Sequence, residues 1–271
     1  MESLFDWGPF VKEGPLFIGI LNVTPDSFSD GGRFQAPEAA LTQARRLIEA
    51  GAGMLDVGAE STRPGAASVD ATEEWIRLEP VLQVLRQAFP GTPLSLDTRH
   101  ATTAERGLYT GVAVLNDVTG FSDPAILDLA STSHCGVIAM RSRREGDHFF
   151  MPPYDGPGRP MDTAIQELRD VRDRLTLQAQ IAPSRILLDP GFGFGTTYSE
   201  DQALWEALPQ LPALLSWPDA QFCIGISRKR FLAWRNDTQD LPPSERDALT
   251  QEAHGEAINL GYKVFRTHQV R

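Results

Sequence analysis

The chain has 271 residues, of which 41% are hydrophobic, and a formal net charge of −11. This length fits one large α/β domain with a sizeable core. The acidic charge argues against nucleic acid or an anionic membrane as a partner, and no segment approaches the ~20 apolar residues that a membrane-spanning helix needs. The two cysteines, Cys135 and Cys223, lie in apolar runs typical of buried, reduced thiols. With no signal-peptide pattern, we expect a cytoplasmic protein.

Short apolar runs alternate with helical patterns along the chain. The predicted strands are 16–21, 54–57, 94–96, 113–115, 136–140, 186–188, 222–226 and 263–265. The predicted helices are 37–50, 71–89, 101–109, 124–130, 161–181 and 244–260. This uninterrupted series of βα units favours a closed (β/α)8 TIM barrel over an open sheet. We predict an N-terminal extension, residues 1–15, whose aromatic Phe5, Trp7 and Phe10 are possible plugs, and one barrel domain, residues 16–271.

The strands are apolar, but the residues at or just after their ends are mostly polar. These residues are Asn22, Asp56, Asp97, Asn116, Met140, Asp189, Lys229, and Arg266 with His268. In a parallel barrel the carboxyl ends of the strands surround one mouth, so we expect these side chains to converge there. Asp56 and the neighbouring Asp117 could instead be turn or helix caps, because aspartate is common in both.

The polar groups suit two kinds of ligand. Asp97, Asn116 and Asp189 offer carboxylates and an amide, which match a flat heterocycle rich in N–H donors. A second set offers cations and donors that match a phosphate or pyrophosphate. That set is Arg63, Lys229, Arg266 and His268. The sequence therefore predicts a site for a donor-rich ring that carries an anionic leaving group.

The motifs around these strand ends resemble, in the same order, the signatures of the dihydropteroate synthase family. They are GILNVTPDSFSDGG at 19–32, DVGAESTRPG at 56–65, SLDT at 95–98, LNDV at 115–118, LLDPGFGFG at 187–195, SRK at 227–229 and RTH at 266–268. The first two and the DPGFGFG run are specific individually. Together the motifs span nearly the whole chain.

The resemblance implies an enzyme of folate biosynthesis and a sulfonamide target, which condenses 6-hydroxymethyl-7,8-dihydropterin pyrophosphate with p-aminobenzoate and releases pyrophosphate. The implied pterin pocket is Asp97, Asn116, Met140, Asp189 and Lys229. The implied pyrophosphate site is Asn22, Arg63, Arg266 and His268, with a Mg²⁺ cofactor bound near Asn22. The implied p-aminobenzoate pocket is Phe28, Thr62, Arg63, Pro64, Phe194 and Ser227. Within these sets, the implied catalytic residues are Asp97, Lys229 and Arg266.

The chain departs from the family pattern at several places. Thr196 and Thr197 stand where the family often has lysine, and Arg141 begins an arginine-rich run that replaces a usual Met-His-Met. We expect this run to compensate for the lost charge. His254 lies in the last predicted helix where small apolar residues are usual.

The chain also ends just after the last predicted strand, so the final helix of the barrel is expected to be missing. The apolar face left open predicts a homodimer or other self-association. Two alternative functions stay open. One is a non-catalytic pterin-binding paralogue or scaffold, and the other is the methyltetrahydrofolate-binding domain of a corrinoid methyltransferase.

Overall fold

The structure is a computed structural model that describes residues 4–23, 36–60, 68–146, 148–239 and 241–270. Its strands are β1 (Leu16–Asn22), β2 (Met54–Gly58), β3 (Leu94–Asp97), β4 (Val114–Asp117), β5 (Gly136–Met140), β6 (Arg144–Glu145), β7 (His148–Phe149), β8 (Ile186–Asp189), β9 (Cys223–Ile224) and β10 (Val264–Thr267). Its helices are α1 (Ala36–Glu49), α2 (Ala71–Ala88), α3 (Ala101–Tyr109), α4 (Pro124–Thr132), α5 (Met161–Asp173), α6 (Tyr198–Ala207), α7 (Leu211–Leu214), α8 (Arg230–Arg235) and α9 (Asp247–Asn259).

Eight of the strands form one parallel barrel, as predicted. They are hydrogen-bonded in the order β8-β5-β4-β3-β2-β1-β10-β9, and a parallel bridge between Leu188 and Phe222 closes the ring. The other two, β6 and β7, form an antiparallel hairpin in the loop that follows β5. This hairpin was not expected from the sequence, since two-residue strands give no alternating pattern.

The predicted elements match the observed ones closely except in α5 and between β8 and α9. Helix α5 stops at Asp173 and continues as a π-type turn, Arg174–Gln178. Helix α6 has no counterpart in the prediction, because it buries the charged residues Glu200 and Asp201 and so lacks a clear apolar stripe. Its start is nevertheless well defined by a capping box in which Thr197 and Glu200 satisfy each other's backbone N–H groups.

The N-terminal segment closes the bottom of the barrel. Trp7 is fully buried against the inward-facing residues of the strands, and its indole Nε1 donates to the carbonyl of Arg185 (2.9 Å). Phe5 packs edge-on against Trp7, and its amide donates to the carbonyl of His134 (2.9 Å). The plug predicted at these aromatic residues is confirmed, and the carboxyl ends of the strands form the open end.

A second, larger core lies between the barrel and its helices. Val270 is buried in it, and the described residues after β10, 268–270, form no helix. Cys135 and Cys223 are both buried free thiols, as expected. In the part of the chain that the structure describes, no helix is long and apolar enough to cross a membrane.

His254 of α9 fills this outer core in place of a small residue. Its ring centroid lies 4.9 Å from that of Phe265 and 5.9 Å from that of Phe17, and its buried Nε2 has no hydrogen-bond partner among the described residues. Burial lowers the pKa of His254 to about 4, because the charged form would lose its hydration. The folded protein therefore holds this histidine neutral.

We predict that His254 makes the protein sensitive to acid. The unfolded chain protonates His254 near pH 6.5, whereas the folded chain resists until about pH 4, so the histidine costs roughly 1.4 kcal/mol of stability per pH unit between these values. Urea unfolding of His254→Leu, followed by tryptophan fluorescence at about pH 7 and pH 5, should show a smaller loss on acidification than the wild type. Equal losses would contradict this role.

Candidate active site

Three polar residues at strand ends point into the mouth of the barrel. Asp97 ends β3, Asn116 lies in β4 and Asp189 ends β8. Residues of neighbouring parallel strands that are paired in register lie side by side, and the pairs here are Asp97 with Asn116 and Met140 with Asp189. The mouth thus brings together four of the residues predicted for one flat ligand.

Arg266 of β10 joins two carboxylates across this mouth. Its Nε donates to Asp56 Oδ2 (2.6 Å), and its Nη2 donates to Asp97 Oδ2 (2.6 Å). Asn116 Nδ2 donates to the same Asp56 oxygen (3.0 Å). Asp56 is therefore part of the charge network of the site and does not cap a turn or a helix.

The carboxyl group of Asp97 has a pKa close to neutral pH. Burial raises the pKa of Asp97 to about 7, although Arg266 opposes this rise. This value includes the effect of the carboxylates of Asp56, Glu74 and Asp117, which also raise the pKa because like charges disfavour ionisation. A small change in the charge around Asp97 can consequently change its protonation near neutral pH.

Asp189 and Lys229 are opposite charges at the mouth that attract each other. Asp189 Oδ1 accepts a hydrogen bond from the amide of Gly191 (2.8 Å). Burial raises the pKa of Asp189 and lowers the pKa of Lys229 to about 8, and the attraction between the two charges opposes both shifts. Gly225 leaves room for the Asp189 carboxylate, since a Cβ there would lie 2.5 Å from Asp189 Oδ2.

Phe194 covers Lys229 and is itself covered by the hairpin of β6 and β7. The Lys229 Nζ atom lies 3.8 Å from the centroid of the Phe194 ring. Phe194 also makes an edge-to-face contact with Phe149 at 5.4 Å between centroids. Arg143 Nη1 donates to the carbonyl of Gly195 (3.0 Å), which ties the hairpin to the glycine-rich loop. Sequence reasoning did not identify Phe149, and the aromatic pair at 149–150 is the signal that could have found it.

The expectation that the arginine-rich run replaces a lost charge at the mouth is wrong for Arg141. Its side chain is buried, with Nε donating to the carbonyl of Pro190 (2.7 Å) and Nη1 to Glu167 Oε2 (3.0 Å). Gly191 has a φ of +73°, and a Cβ there would lie 1.8 Å from the Arg141 carbonyl oxygen. Arg141 thus supports the loop after Asp189 from behind. Thr196 also serves this loop, because its hydroxyl accepts a hydrogen bond from the amide of Gly193 (3.1 Å).

His268 is not the cation that the sequence suggested. Its Nδ1 is hydrogen-bonded to Ser227 Oγ (3.0 Å), and its backbone amide donates to the same oxygen (3.1 Å). Burial, together with the cationic side chains of Arg228, Arg266 and Lys229, lowers the pKa of His268 to about 3. The ring is neutral at physiological pH and can offer one N–H donor.

Two loops next to β1 and β2 are only partly described. Asn22, at the end of β1, is paired in register with Gly58 at the same rim. Phe28, Thr62, Arg63 and Pro64 lie outside the described residues.

Residues that follow Asp97 hold both sides of the second loop. Glu60 accepts two hydrogen bonds from Arg99 (2.9 and 3.0 Å), and Val69 O is hydrogen-bonded to His100 Nε2 (2.9 Å). Glu60, Glu74 and His100 are close enough to hold a metal ion, but the Arg99 guanidinium already neutralises Glu60. The sequence did not indicate these contacts.

Comparison with known proteins identifies the chain in two steps. The model of the family described as pterin binding enzyme matches residues 18–268, which makes this barrel a member of the pterin-binding enzymes. Within that class the chain is 34% identical over 261 residues to the dihydropteroate synthase of Bacillus subtilis, covering 96% of this chain and 85% of that protein. It is 36% identical over 262 residues to the enzyme of Neisseria meningitidis serogroup C, with coverage of 95% and 88%. The chain belongs to the dihydropteroate synthase family of transferases.

Solved structures agree with this assignment. The dihydropteroate synthase of Clostridium difficile, determined in the presence of pteroic acid, superposes with a TM-score of 0.82 and 30% identity over 95% of this chain and 92% of that chain. The Xanthomonas albilineans enzyme with 4-aminobenzoic acid gives a TM-score of 0.80 and 34% identity over 95% and 89%. The family resemblance predicted from the motifs is confirmed.

We predict that Arg141 stabilises the loop after Asp189. Replacing Arg141 by Met leaves the buried carbonyl oxygen of Pro190 without its donor, which costs about 1–3 kcal/mol, whereas the carbonyl of Gly191 keeps the amide of Phe194. Urea unfolding measures the loss. The control is Arg235→Met, which removes a half-exposed pair with Glu256 and should cost less than about 1 kcal/mol. Equal losses of unfolding free energy in the two variants would contradict the role of Arg141 in stabilising the loop.

Proposed function

We propose that this chain condenses 6-hydroxymethyl-7,8-dihydropterin pyrophosphate with p-aminobenzoate to give 7,8-dihydropteroate and pyrophosphate. The observation that carries the proposal is the charge arrangement at the mouth. Asn116 and Asp189 are buried and Asp97 is mostly buried, all three face one space, and Arg266 borders it beside Asp97. In a barrel of this family, that arrangement matches a ring with N–H donors attached to an anionic leaving group.

The ring end of the substrate is assigned to the residues of β3, β4, β5 and β8. The carboxylate of Asp189 accepts paired hydrogen bonds from the ring N–H and amino groups, and Asn116 adds an amide. Met140 packs on the ring face, and Lys229 lies opposite with Phe194 over its ammonium group. The buried carboxylates favour a ligand that brings donors, because an unpaired buried charge is costly.

The diphosphate end is assigned to Arg266 and His268. Arg266 keeps N–H donors beyond those used by Asp56 and Asp97, since a guanidinium carries five. His268 offers a neutral ring N–H, and Arg63 is proposed as a second cation. Asn22 would hold Mg²⁺ through its amide oxygen, which fits an ion that prefers oxygen ligands and keeps several waters. When bound, the ion supplies further neutralisation of the diphosphate charge.

The reaction breaks the bond between the pterin methylene carbon and the diphosphate oxygen, and the electron pair leaves on that oxygen. Arg266 stabilises the negative charge that leaves, and Asp97 faces the positive charge that develops on the methylene carbon and the ring. The neutral nitrogen of p-aminobenzoate then forms the new C–N bond and loses a proton to water. Fixed charges aimed at developing charge are usually the largest catalytic contribution.

The second substrate is assigned to the outer part of the mouth. Phe194 and Ser227 border it on the β8 and β9 side, and Phe28, Thr62, Arg63 and Pro64 are proposed to complete it from the first two loops. The buried thiols of Cys135 and Cys223 support a reducing, cytoplasmic location. Self-association stays a prediction.

One assay tests the proposal. The purified chain, supplied with both substrates and Mg²⁺, should release pyrophosphate only when p-aminobenzoate is present. Binding of the pterin substrate without turnover would instead indicate a non-catalytic paralogue.

We predict that Asp97→Asn lowers kcat by roughly 10²-fold or more, because the amide cannot stabilise the developing positive charge. In the wild type, kcat/KM should fall as the pH drops through about 7, where Asp97 gains its proton. Asp128→Asn, at an exposed position of α4, is the matched control and should behave like the wild type. Turnover of Asp97→Asn at the wild-type rate would exclude the assigned role.

We also predict that Arg266→Ala weakens the diphosphate substrate more than the pterin alcohol that lacks phosphate. In the proposed complex, the leaving group is the only part of the substrate that the guanidinium contacts. Charge-assisted hydrogen bonds of this kind are stronger than neutral ones. Calorimetric titration with both ligands measures the difference, which we expect to be about tenfold or more. Equal losses for the two ligands would contradict the assignment.

A further inference from the structure

Asp56 lies beneath the rim of the mouth and has no exposed surface. It is in β2, two residues before the strand ends at Gly58, and it is fully buried. Met54, two residues earlier on the same face, belongs to the core inside the barrel. In register, Asp56 has Ile20 on one side and Ser95 on the other.

One oxygen of Asp56 connects the two ends of the site. Oδ2 accepts from Arg266 Nε (2.6 Å) and from Asn116 Nδ2 (3.0 Å). Arg266 belongs to the diphosphate end, and Asn116 belongs to the ring end. The contact to Nε also sets the plane of the guanidinium, which is how Nη2 comes to lie 2.6 Å from Asp97 Oδ2.

We propose that Asp56 is a positioning residue for the condensation, because its one carboxylate oxygen holds Arg266 and Asn116 at the same time. Its hydrogen bond to Arg266 Nε keeps the remaining donors of that guanidinium on the side of the leaving group. This inference rests on the proposed function of the mouth.

Opposite charges hold Asp56 and Arg266 together. Asp56 is buried, and Arg266 Nε is its ionic partner in the structure, so moving the guanidinium away would leave a buried charge without compensation. An arginine fork is planar and rigid, so fixing Nε fixes the direction of the other N–H groups. Asparagine at position 56 has nearly the same shape but lacks the charge that holds the fork.

Removing the charge of Asp56 also acts on Asp97. The charged groups that act on Asp97 include Arg266 from β10, Asp56 from β2, Glu74 from α2, Asp117 from β4, and Lys229 just before α8. Without Asp56, one repelling charge disappears, and Arg266 has Asp97 as its only remaining carboxylate partner in the network described. Both changes favour the ionised form of Asp97, so its pKa falls.

The test is the pH dependence of kcat/KM for Asp56→Asn and the wild type. We expect the variant to be slower by about 10²-fold at the plateau, on the scale of a misplaced catalytic group. We also expect its acid limb to move to lower pH than the wild-type limb near 7. The diphosphate substrate ionises in the same way in both assays, so its titration does not contribute to a difference between the two acid limbs. An acid limb that stays at the wild-type position, or an unchanged rate, would overturn the inference.

Ser95→Ala is the matched control. Ser95 is paired in register with Asp56, is fully buried, and its hydroxyl has no partner among the residues that the structure describes. We expect it to keep the wild-type acid limb, with activity within a few-fold.

A double-mutant cycle tests whether Asp56 acts through Arg266. Arg266→Lys keeps the charge but cannot contact Asp56 and Asp97 together as a fork. Adding Asp56→Asn to it should then cost much less than Asp56→Asn alone, because the two residues act as one unit. Additive losses would overturn the inference.

Two further measurements separate a folding defect of Asp56→Asn from a loss of positioning. If circular dichroism shows that Asp56→Asn is unfolded, Asp56→Glu keeps the charge but displaces the carboxylate, and the same loss of rate is expected. Binding of inorganic pyrophosphate with Mg²⁺ should weaken about tenfold in either variant. A wild type without turnover would refute the proposed function, whereas an active wild type with unchanged Asp56 variants would refute this inference alone.

Discussion

The site depends on one arginine placed among buried carboxylates. Asp56 and Asp97 lie at the carboxyl end of the barrel, where the strands bring their charges together and water is largely excluded. Arg266 compensates both, and its two contacts of 2.6 Å fix the guanidinium in the mouth. Without this cation the mouth would hold repelling carboxylates, and protonation would remove the charge that the proposed chemistry needs.

The rest of the barrel keeps this cluster in place. Trp7 and its neighbours close the bottom, so the strands can pack to their full length while only the top remains open. On the far side of the mouth, Arg141 and Thr196 hold the glycine-rich loop, and Phe149 lies against Phe194. The departures from the family pattern at 141 and 196 therefore support the backbone of the loop, and the charge of Arg141 acts on Asp189 from behind that loop.

The pKa shifts indicate a site in which burial brings several groups close to a change of protonation state. Burial raises the pKa of Asp97, lowers that of Lys229 and keeps His268 neutral. Burial acts against every charged form, so each group stays ionised only as far as its neighbours allow. A ligand that brings its own donors and negative charge would replace these internal contacts.

The sequence by itself determined the repeat of strands and helices, the polar strand ends and the family, because these depend on periodicity and on motifs within a few residues. It could not determine which partner each side chain takes, since Arg266 lies 210 and 169 residues from its two carboxylates. From the sequence, Asp56 could equally be a cap, and Arg141 was expected to supply charge at the mouth. The neighbours that surround them in the barrel decided both cases. Only closure of the sheet decided those contacts, because it brings strands from both ends of the chain to one rim.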